Sequence, residues 1–198
     1  MTAPIRAIET YYSGCRFRSR IEARWAVFFD RIGILWEHEE QGFDVGNPPV
    51  RYLPDFYLPQ LGLYVEVKPA MADHVDPAGV ARWTDFAGIV ATEWEHGKSA
   101  MFCGPIPDAA TVDSLGPPRT ETWYDTGIFI VGDWRYAWCA CPSGEHFDIQ
   151  YEARGGRILC GCPRIADDRY RTGDHPRILA GYRAARSARF EHGEHAAA

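Results

Sequence analysis

Residues 52–68 read YLPDFYLPQLGLYVEVK, two short apolar runs separated by the turn-forming residues PQLG. Runs of this length on either side of a Pro/Gly turn predict a β-hairpin, with strands over 52–58 and 62–68. Along the second strand, the apolar residues Leu63, Val65 and Val67 alternate with Tyr64, Glu66 and Lys68. Successive side chains of a strand face opposite sides of its sheet. The hairpin is therefore expected to present an acid and a lysine on one face.

Helical and extended segments surround this hairpin. Apolar residues at helical spacing predict a helix over 17–32, with Ser19 as its N-cap and Gly33 as its stop. Its buried stripe is expected to contain Phe17, Ile21, Trp25, Phe28, Phe29 and Ile32. The other predicted elements are a strand over 34–39, a loop over 42–51, a helix over 78–97 ending at Gly97, and a strand over 99–104. This order predicts an α/β sandwich.

The second half of the chain carries different signals. A Pro-rich stretch over 105–118 predicts a boundary, after which aromatic segments indicate a small β extension. A basic helix over 175–190, with Asp174 as its N-cap, and a short tail are expected to close the chain. The predicted units are a core over 1–118, the extension over 119–165 and the closing segment over 166–198.

The composition is that of a folded domain with an acidic excess. Hydrophobic residues make up 46% and aromatic residues 14% of the chain, which excludes a disordered protein and a coiled coil. The net charge of -6 argues against a protein that coats polyanions, although a local patch or bridging metal ions still allow nucleic-acid binding. There is no apolar run of roughly 18 residues and no signal-peptide pattern, so we expect a cytoplasmic location and no membrane partner.

The hairpin is expected to bring Asp55, on its first strand, beside Glu66. Two neighbouring carboxylates repel each other unless a cation lies between them, and hard oxygen ligands suit Mg²⁺ or Mn²⁺. Lys68 is one of only two lysines, with Lys98, among 21 basic residues. Because lysine is a compact charge with a pKa that can shift, Lys68 is suited to orienting or deprotonating a water there.

These residues resemble the motif of the PD-(D/E)xK nuclease superfamily. Pro54-Asp55 is followed, after ten residues, by Glu66-Val67-Lys68, and the preceding helix carries an acid at Glu22. The resemblance covers residues 11–104, and it includes the order of helices and strands as well as the motif. It implies a restriction-endonuclease-like fold, in which helices flank a mixed sheet, and a metal-dependent phosphodiesterase with DNA as the substrate.

The resemblance also implies a catalytic role for each motif residue. Asp55, Glu66 and the carbonyl of Val67 would bind the catalytic Mg²⁺ or Mn²⁺, and Lys68 would act on the attacking water. Glu22 would bind a second metal ion or a metal-bound water. Metal ions suit this reaction because they neutralise the scissile phosphate and lower the pKa of a bound water.

Each of these residues also has a structural interpretation. The segment from Ser19 to Glu22 fits a capping box, so that Glu22 would only cap its helix. Glu66 and Lys68 would be an exposed pair of small energetic value, and Asp55 a turn residue. The neighbouring acids Glu37, Glu39, Glu40 and Asp44 are predicted to be solvated charges.

Arginines around the first helix are candidates for contacts with the DNA backbone. Phosphate contacts of this kind position a nucleic acid without reading its sequence. A solvated helix face is the alternative interpretation. The candidates are Arg16, Arg18, Arg20 and Arg24, together with Arg154 and Arg157 in a predicted turn of the extension.

Two Cys-x-Cys pairs, each followed by proline, indicate a second metal. They are Cys139 with Cys141 and Cys160 with Cys162. A strand over 147–151 and a turn separate the pairs, and a hairpin would bring them together. Four thiolates suit tetrahedral Zn²⁺ in a closed structural site, with His146 as an alternative to one cysteine. Reduced buried thiols, or a disulfide formed on oxidation, are the alternatives to zinc.

The leading hypothesis is therefore a divalent-metal-dependent DNA nuclease with a zinc-stapled extension. A homodimer or a larger DNA-processing complex would be compatible with it. The alternative is a zinc-containing adaptor that binds nucleic acid or protein through an inactive nuclease-like core. A third hypothesis is a metal-dependent hydrolase of small phosphate esters, against which the arginine-rich helices argue weakly.

Overall fold

The computed structural model describes residues 8–69, 75–93, 98–109, 128–130, 133–141, 143–151 and 175–190. Its helices are α1 (Arg20–Ile32), α2 (Pro77–Glu93) and α3 (Pro176–Ser187), with a 3₁₀ turn at Pro59–Leu61. Its first strands are β1 (Thr10–Tyr12), β2 (Cys15–Phe17), β3 (Glu37–His38), β4 (Phe43–Val45), β5 (Val50–Tyr52) and β6 (Phe56–Leu58). The others are β7 (Leu63–Lys68), β8 (Lys98–Cys103), β9 (Ile128–Ile130), β10 (Asp133–Ala140) and β11 (Phe147–Tyr151).

A mixed sheet organises the described residues. Seven strands pair in the order β11-β10-β9-β8-β7-β6-β3, and β7 and β8 run parallel while the other neighbours are antiparallel. Strands β1 and β2 form a separate two-stranded ribbon, and so do β4 and β5. The predicted α/β class with a mixed sheet and flanking helices is confirmed. No helix in these described ranges combines the length and apolar character needed to cross a membrane.

The predicted hairpin is present as β6 and β7. Phe56 pairs with Val65 and Leu58 with Leu63, and the turn ends at Gly62 in the left-handed conformation with φ 57°. The first strand is shorter than predicted because Pro54 has no N–H to donate to a ladder. Tyr52 instead ends β5, so the prediction of an irregular loop over 42–51 is wrong where β4 and β5 pair.

Helix α1 has the predicted caps and end, but it begins at Arg20 instead of Phe17, because Phe17 is the last residue of β2. Ser19 accepts a hydrogen bond from the backbone N–H of Glu22, and Gly33 closes the helix in the left-handed conformation with φ 81°. Members of the predicted apolar stripe are buried, and only Ile21 is partly exposed. The described part of α2 ends at Glu93, and the predicted end at Gly97 lies outside the described residues.

Two apolar clusters cover the two faces of the sheet. Val65 and Val67 of β7 and Phe102 of β8 belong to a cluster that contains α1 and α3. Alternating residues of the same strands, Tyr64 and Met101, belong to a second cluster with α2 and the β4–β5 ribbon. The arrangement is a sandwich of helix, sheet and helix layers, and it fixes the end of β7 between two packed faces.

The predicted extension and closing helix join this same architecture. Strands β9, β10 and β11 continue the sheet beyond β8, and Ile178, Leu179 and Tyr182 of α3 are buried in the α1 cluster. His175 is the N-cap of α3, whereas the predicted cap Asp174 and the predicted boundaries at 118 and 165 lie outside the described residues.

Candidate active site

Three buried acids lie around the start of β6 and the end of β7. Glu22, Asp55 and Glu66 are 6%, 4% and 7% exposed, and they are the only buried acids among the residues described. The hairpin register continues from the pair of Phe56 and Val65 to place Asp55 opposite Glu66. Residues that face each other across antiparallel strands point to the same side of the sheet. The register thus brings Asp55 and Glu66 together as the sequence predicts.

Each oxygen of the Asp55 carboxylate has a partner. Oδ2 accepts a hydrogen bond of 2.7 Å from the backbone N–H of Val67, and Oδ1 accepts one of 3.1 Å from Nη2 of Arg18. Burial raises the pKa of Asp55 well above its usual range, and the charges of Glu66 and Glu22 raise it further. The Val67 N–H and Arg18 oppose this shift, so a cation at Asp55 is stabilising.

The Glu66 carboxylate lies between a tyrosine and a lysine. Oε2 accepts a hydrogen bond of 2.8 Å from the hydroxyl of Tyr52, and Oε1 forms an ion pair with Nζ of Lys68. The Lys68 side chain is 30% exposed, whereas that of Glu66 is only 9% exposed. Lys68 therefore lies between the buried carboxylate of Glu66 and the solvent. A substrate would approach from that side.

Cys103 lies beside this pair, across from Lys68 in the parallel register of β7 and β8. Burial raises the pKa of its thiol to about 12, so the thiol is neutral at ordinary pH. Cys103 is therefore a buried and unreactive cysteine, since reactivity requires the thiolate.

Glu22 has a structural role at the start of α1. Its Oε1 accepts a hydrogen bond of 2.6 Å from the Ser19 hydroxyl, and its Oε2 accepts one of 3.0 Å from the backbone N–H of Arg18. The capping interpretation of Glu22 therefore describes contacts that are present. Its charge also raises the pKa of Asp55, so it lies within electrostatic reach of the hairpin acids. A catalytic role for Glu22 stays a prediction.

The carboxylates of Asp55 and Glu66 suit Mg²⁺ or Mn²⁺ better than a metal ion that takes all its ligands from protein side chains. Across the ranges that the structure describes, no group of three or more His, Cys, Asp or Glu side chains is arranged to hold a metal ion. Mg²⁺ commonly uses one or two carboxylates and keeps several waters or substrate oxygens. A pair consisting of Asp55 and Glu66 meets that requirement, whereas Glu22 is occupied by its helix end.

The candidate DNA-binding arginines differ in their surroundings. Arg16 pairs with Glu9 on the surface, away from the buried acids. Arg20 and Arg24 each have a buried Nε with no hydrogen-bond partner in the described structure. Arg18 contacts Asp55 and also Oε1 of Glu39, at 2.7 Å. Glu39 is therefore a half-buried partner of the site, and the prediction that it is a solvated charge is wrong.

The first Cys-x-Cys pair lies at the end of β10. Cys139 is opposite Asp148 on β11, and Cys141 follows the last residue of the strand. Ser143 Oγ lies 3.0 Å from Cys141 Sγ, and the backbone N–H of His146 donates to the same sulfur at 3.3 Å. Burial opposes ionisation of Cys141, but these hydrogen bonds and others from His146 and Glu145 lower its pKa to about 5.

A thiolate is the form of cysteine that binds metals, so the surroundings of Cys141 favour a ligand. Nδ1 of His146 lies 3.7 Å from Sγ of Cys141. His146 is therefore close enough to be the alternative to one cysteine ligand. Cys160, Cys162, Arg154 and Arg157 lie outside the described residues, and their predicted roles stay predictions.

Two features of the site were not predicted from the sequence. The sequence predicts Tyr52 on the first hairpin strand, whereas in the structure its hydroxyl contacts Glu66 from the end of β5. The contact of Arg18 with Asp55 joins residues 37 positions apart and has no local signal in the sequence.

Comparisons with models of protein families, with curated proteins and with solved structures give no match. The chemistry of the site is therefore inferred from its own residues.

Proposed function

We propose that this protein is a divalent-metal-dependent nuclease that hydrolyses phosphodiester bonds of DNA, with a core of the restriction-endonuclease-like type. The observation that carries the proposal is the register of β6 and β7, which sets Asp55 opposite Glu66 with Lys68 paired to Glu66. Burying two carboxylates side by side is costly in free energy unless a cation compensates their charge. Arg18 and Lys68 each compensate part of this charge, and a divalent metal ion held by both carboxylates would compensate the remainder.

The residues that would hold the catalytic metal are Asp55 and Glu66. The carbonyl of Val67 is the third expected ligand, and Glu22 would act through a metal-bound water or a second ion. When bound, Mg²⁺ or Mn²⁺ would neutralise the scissile phosphate and lower the pKa of a bound water. The proposal includes a structural Zn²⁺ held by Cys139, Cys141, Cys160 and Cys162, with His146 as the alternative ligand.

Residues of the chain supply the remaining chemistry. Hydrolysis joins a water oxygen to phosphorus, breaks the bond from phosphorus to the leaving oxygen, and transfers one proton from the water towards that oxygen. Lys68 lies at the solvent-facing side of Glu66, where its ammonium group can orient the water and exchange a proton with it. Arg20 and Arg24, which are half-buried on α1, remain candidates for contacts with the flanking phosphates of a DNA strand.

Cleavage of supercoiled plasmid and of labelled oligonucleotides in Mg²⁺ or Mn²⁺ tests this function. Asp55→Asn and Glu66→Gln keep the shape of each side chain and remove its charge, so both should abolish cutting. Asp44→Asn is the matched control, because Asp44 is an exposed acid on β4 that pairs only with Arg51 among its described ion pairs.

An Asp55→Asn protein that cuts as well as the wild type would refute the proposal. A wild type that binds DNA but cuts under no divalent metal would instead favour the adaptor hypothesis. Binding is measured in Ca²⁺, which takes the same kind of oxygen ligands and is here the non-cleaving control.

A further inference from the structure

Arg18 occupies an unusual place beside the buried acids. Its backbone is fixed, because its N–H donates to Glu22 at the start of α1. Its Nη2 contacts Oδ1 of Asp55 at 3.1 Å and Oε1 of Glu39 at 2.7 Å. The backbone N–H of Glu39 in turn donates to the carbonyl of Asp55 at 3.1 Å. One guanidinium therefore connects the start of α1, the end of β3 and the start of β6.

The charges around Arg18 are predominantly negative. Burial opposes its charge, but the carboxylates of Asp55, Glu39, Glu22 and Glu66 together raise its pKa. Lys68 provides a second positive charge at Glu66. Four carboxylates therefore share this cluster with two cationic side chains, so a further cation would be electrostatically favourable here.

Arg18 and a metal ion would compete for the same oxygen. Oδ2 of Asp55 is held by the Val67 N–H, which leaves Oδ1 as the oxygen that accepts from Arg18. A guanidinium and a divalent cation repel each other at one carboxylate oxygen. The side chain of Arg18 is 60% exposed, whereas that of Asp55 is 5% exposed. Arg18 therefore has room to move, and Asp55 does not.

We propose that Arg18 is an exchangeable counter-ion of the active site. Without a divalent cation it neutralises Asp55, and when the cation binds it leaves Asp55 and contacts a phosphate of the substrate. This inference rests on the proposed nuclease function and adds a regulatory step to it. Arginine suits both partners because its planar donors match carboxylate and phosphate geometry. Metal binding and substrate capture are thereby coupled through one side chain.

Affinity for Mn²⁺ alone, measured by calorimetry without DNA, separates this inference from a simple DNA-binding role. Arg18→Gln removes the competing charge, so it should bind Mn²⁺ about fivefold more tightly than the wild type. The same variant should bind oligonucleotide more weakly in Ca²⁺ and cut it more slowly. Arg18→Lys keeps a competing charge and should retain the wild-type Mn²⁺ affinity. Arg51→Gln is the control, because Arg51 is an exposed arginine on β5 that pairs with Asp44.

An unchanged or weaker Mn²⁺ affinity in Arg18→Gln, with a thermal midpoint like that of the wild type, overturns the inference. Asp55→Asn distinguishes this failure from failure of the proposed function. If the wild type binds Mn²⁺ and Asp55→Asn does not, the metal site stands and only the role of Arg18 is wrong. If the wild type binds no Mn²⁺, both proposals fail together.

Discussion

Tyr52 donates a hydrogen bond of 2.8 Å from its hydroxyl to Oε2 of Glu66, inside the apolar cluster beneath α2. Burial, followed by the charge of Glu66, raises the pKa of Tyr52, so this hydroxyl is protonated and acts as a donor at neutral pH. The ring of Tyr52 packs on Phe86 with ring centroids 4.9 Å apart, which holds the hydroxyl in place. Tyr52 thus orients one of the two carboxylates proposed to bind the metal.

Tyr52→Phe removes this hydrogen bond and retains the packing of the ring. A hydrogen bond to a charged group is worth about 1.5–3 kcal/mol, so we expect cleavage at limiting Mg²⁺ to fall by about tenfold or more. Much of the loss should be recovered at saturating Mg²⁺, because the variant still has both carboxylates. Tyr57→Phe is the control, since Tyr57 stacks on Tyr64 instead of contacting Glu66. Equal activation curves for wild type and Tyr52→Phe would contradict the positioning role.

Lys68 offers a test that separates proton transfer from charge. Lys68→Ala and Lys68→Arg should both lose cleavage by about 10²–10⁴-fold, the usual contribution of a general acid or base. Arginine keeps the positive charge but cannot readily lose a proton, and its planar group does not fit where a small ammonium pairs with Glu66.

Lys98→Arg is the matched control for Lys68→Arg. Lys98 is exposed at the opposite end of the paired strands, across from Leu63, and its replacement should leave cleavage unchanged. An active Lys68→Arg beside an inactive Asp55→Asn would retain the nuclease and remove the proton-transfer role. Single-turnover rates at saturating Mg²⁺ are the appropriate measurement, because they exclude effects on product release.

Zinc content tests the proposed structural site independently of catalysis. Protein purified without chelator should contain about one zinc per chain, as expected for one four-ligand site. Cys141→Ala should lose that zinc, since the hydrogen bonds around its sulfur favour the thiolate. Cys15→Ala should keep it, because Cys15 lies on β2, outside both Cys-x-Cys pairs. A zinc-free wild type, or a Cys141→Ala protein with full zinc, would contradict the prediction.

Sequence reasoning succeeded where the physical signal is local. The alternation in β7 determines which face of the sheet each side chain takes, and the spacing of Trp25, Phe28 and Phe29 determines which side of α1 is buried. Asp55 and Glu66 could be placed together because a short turn fixes the register of its two strands.

The contacts that sequence reasoning missed are long-range. Glu39 is exposed in a local interpretation of the sequence, whereas in the structure it is half-buried and pairs with Arg18, 21 positions earlier in the chain. Strands β4 and β5 have three residues each, and the loop between them is rich in Gly and Pro. They are therefore too short for a periodic pattern to identify them. Phe43 and Tyr52 stabilise the pair by packing on Phe86 of α2, a contact that depends on the complete fold.

The packing of α3 on α1 provides a prediction about stability instead of activity. Gly181 faces α1 so closely that an added Cβ would lie 2.9 Å from Cγ2 of Ile32 and 2.9 Å from Cδ2 of Phe28. Both neighbours are buried, and crowding of this kind in a packed core costs about 1–3 kcal/mol. Gly181→Ala should therefore lower the free energy of unfolding, even though alanine is the better helix former.

Gly88→Ala isolates the helix-propensity effect in the same chain. Gly88 lies on the exposed side of α2, and nothing approaches within 4 Å of the position of its added Cβ. Alanine there should raise the free energy of unfolding by about 0.5–1 kcal/mol. Urea denaturation gives the change in the free energy of unfolding for each variant. The difference between the two changes measures the cost of crowding between α3 and α1. A stabilised Gly181→Ala would contradict the close approach of α3 to α1 at this position.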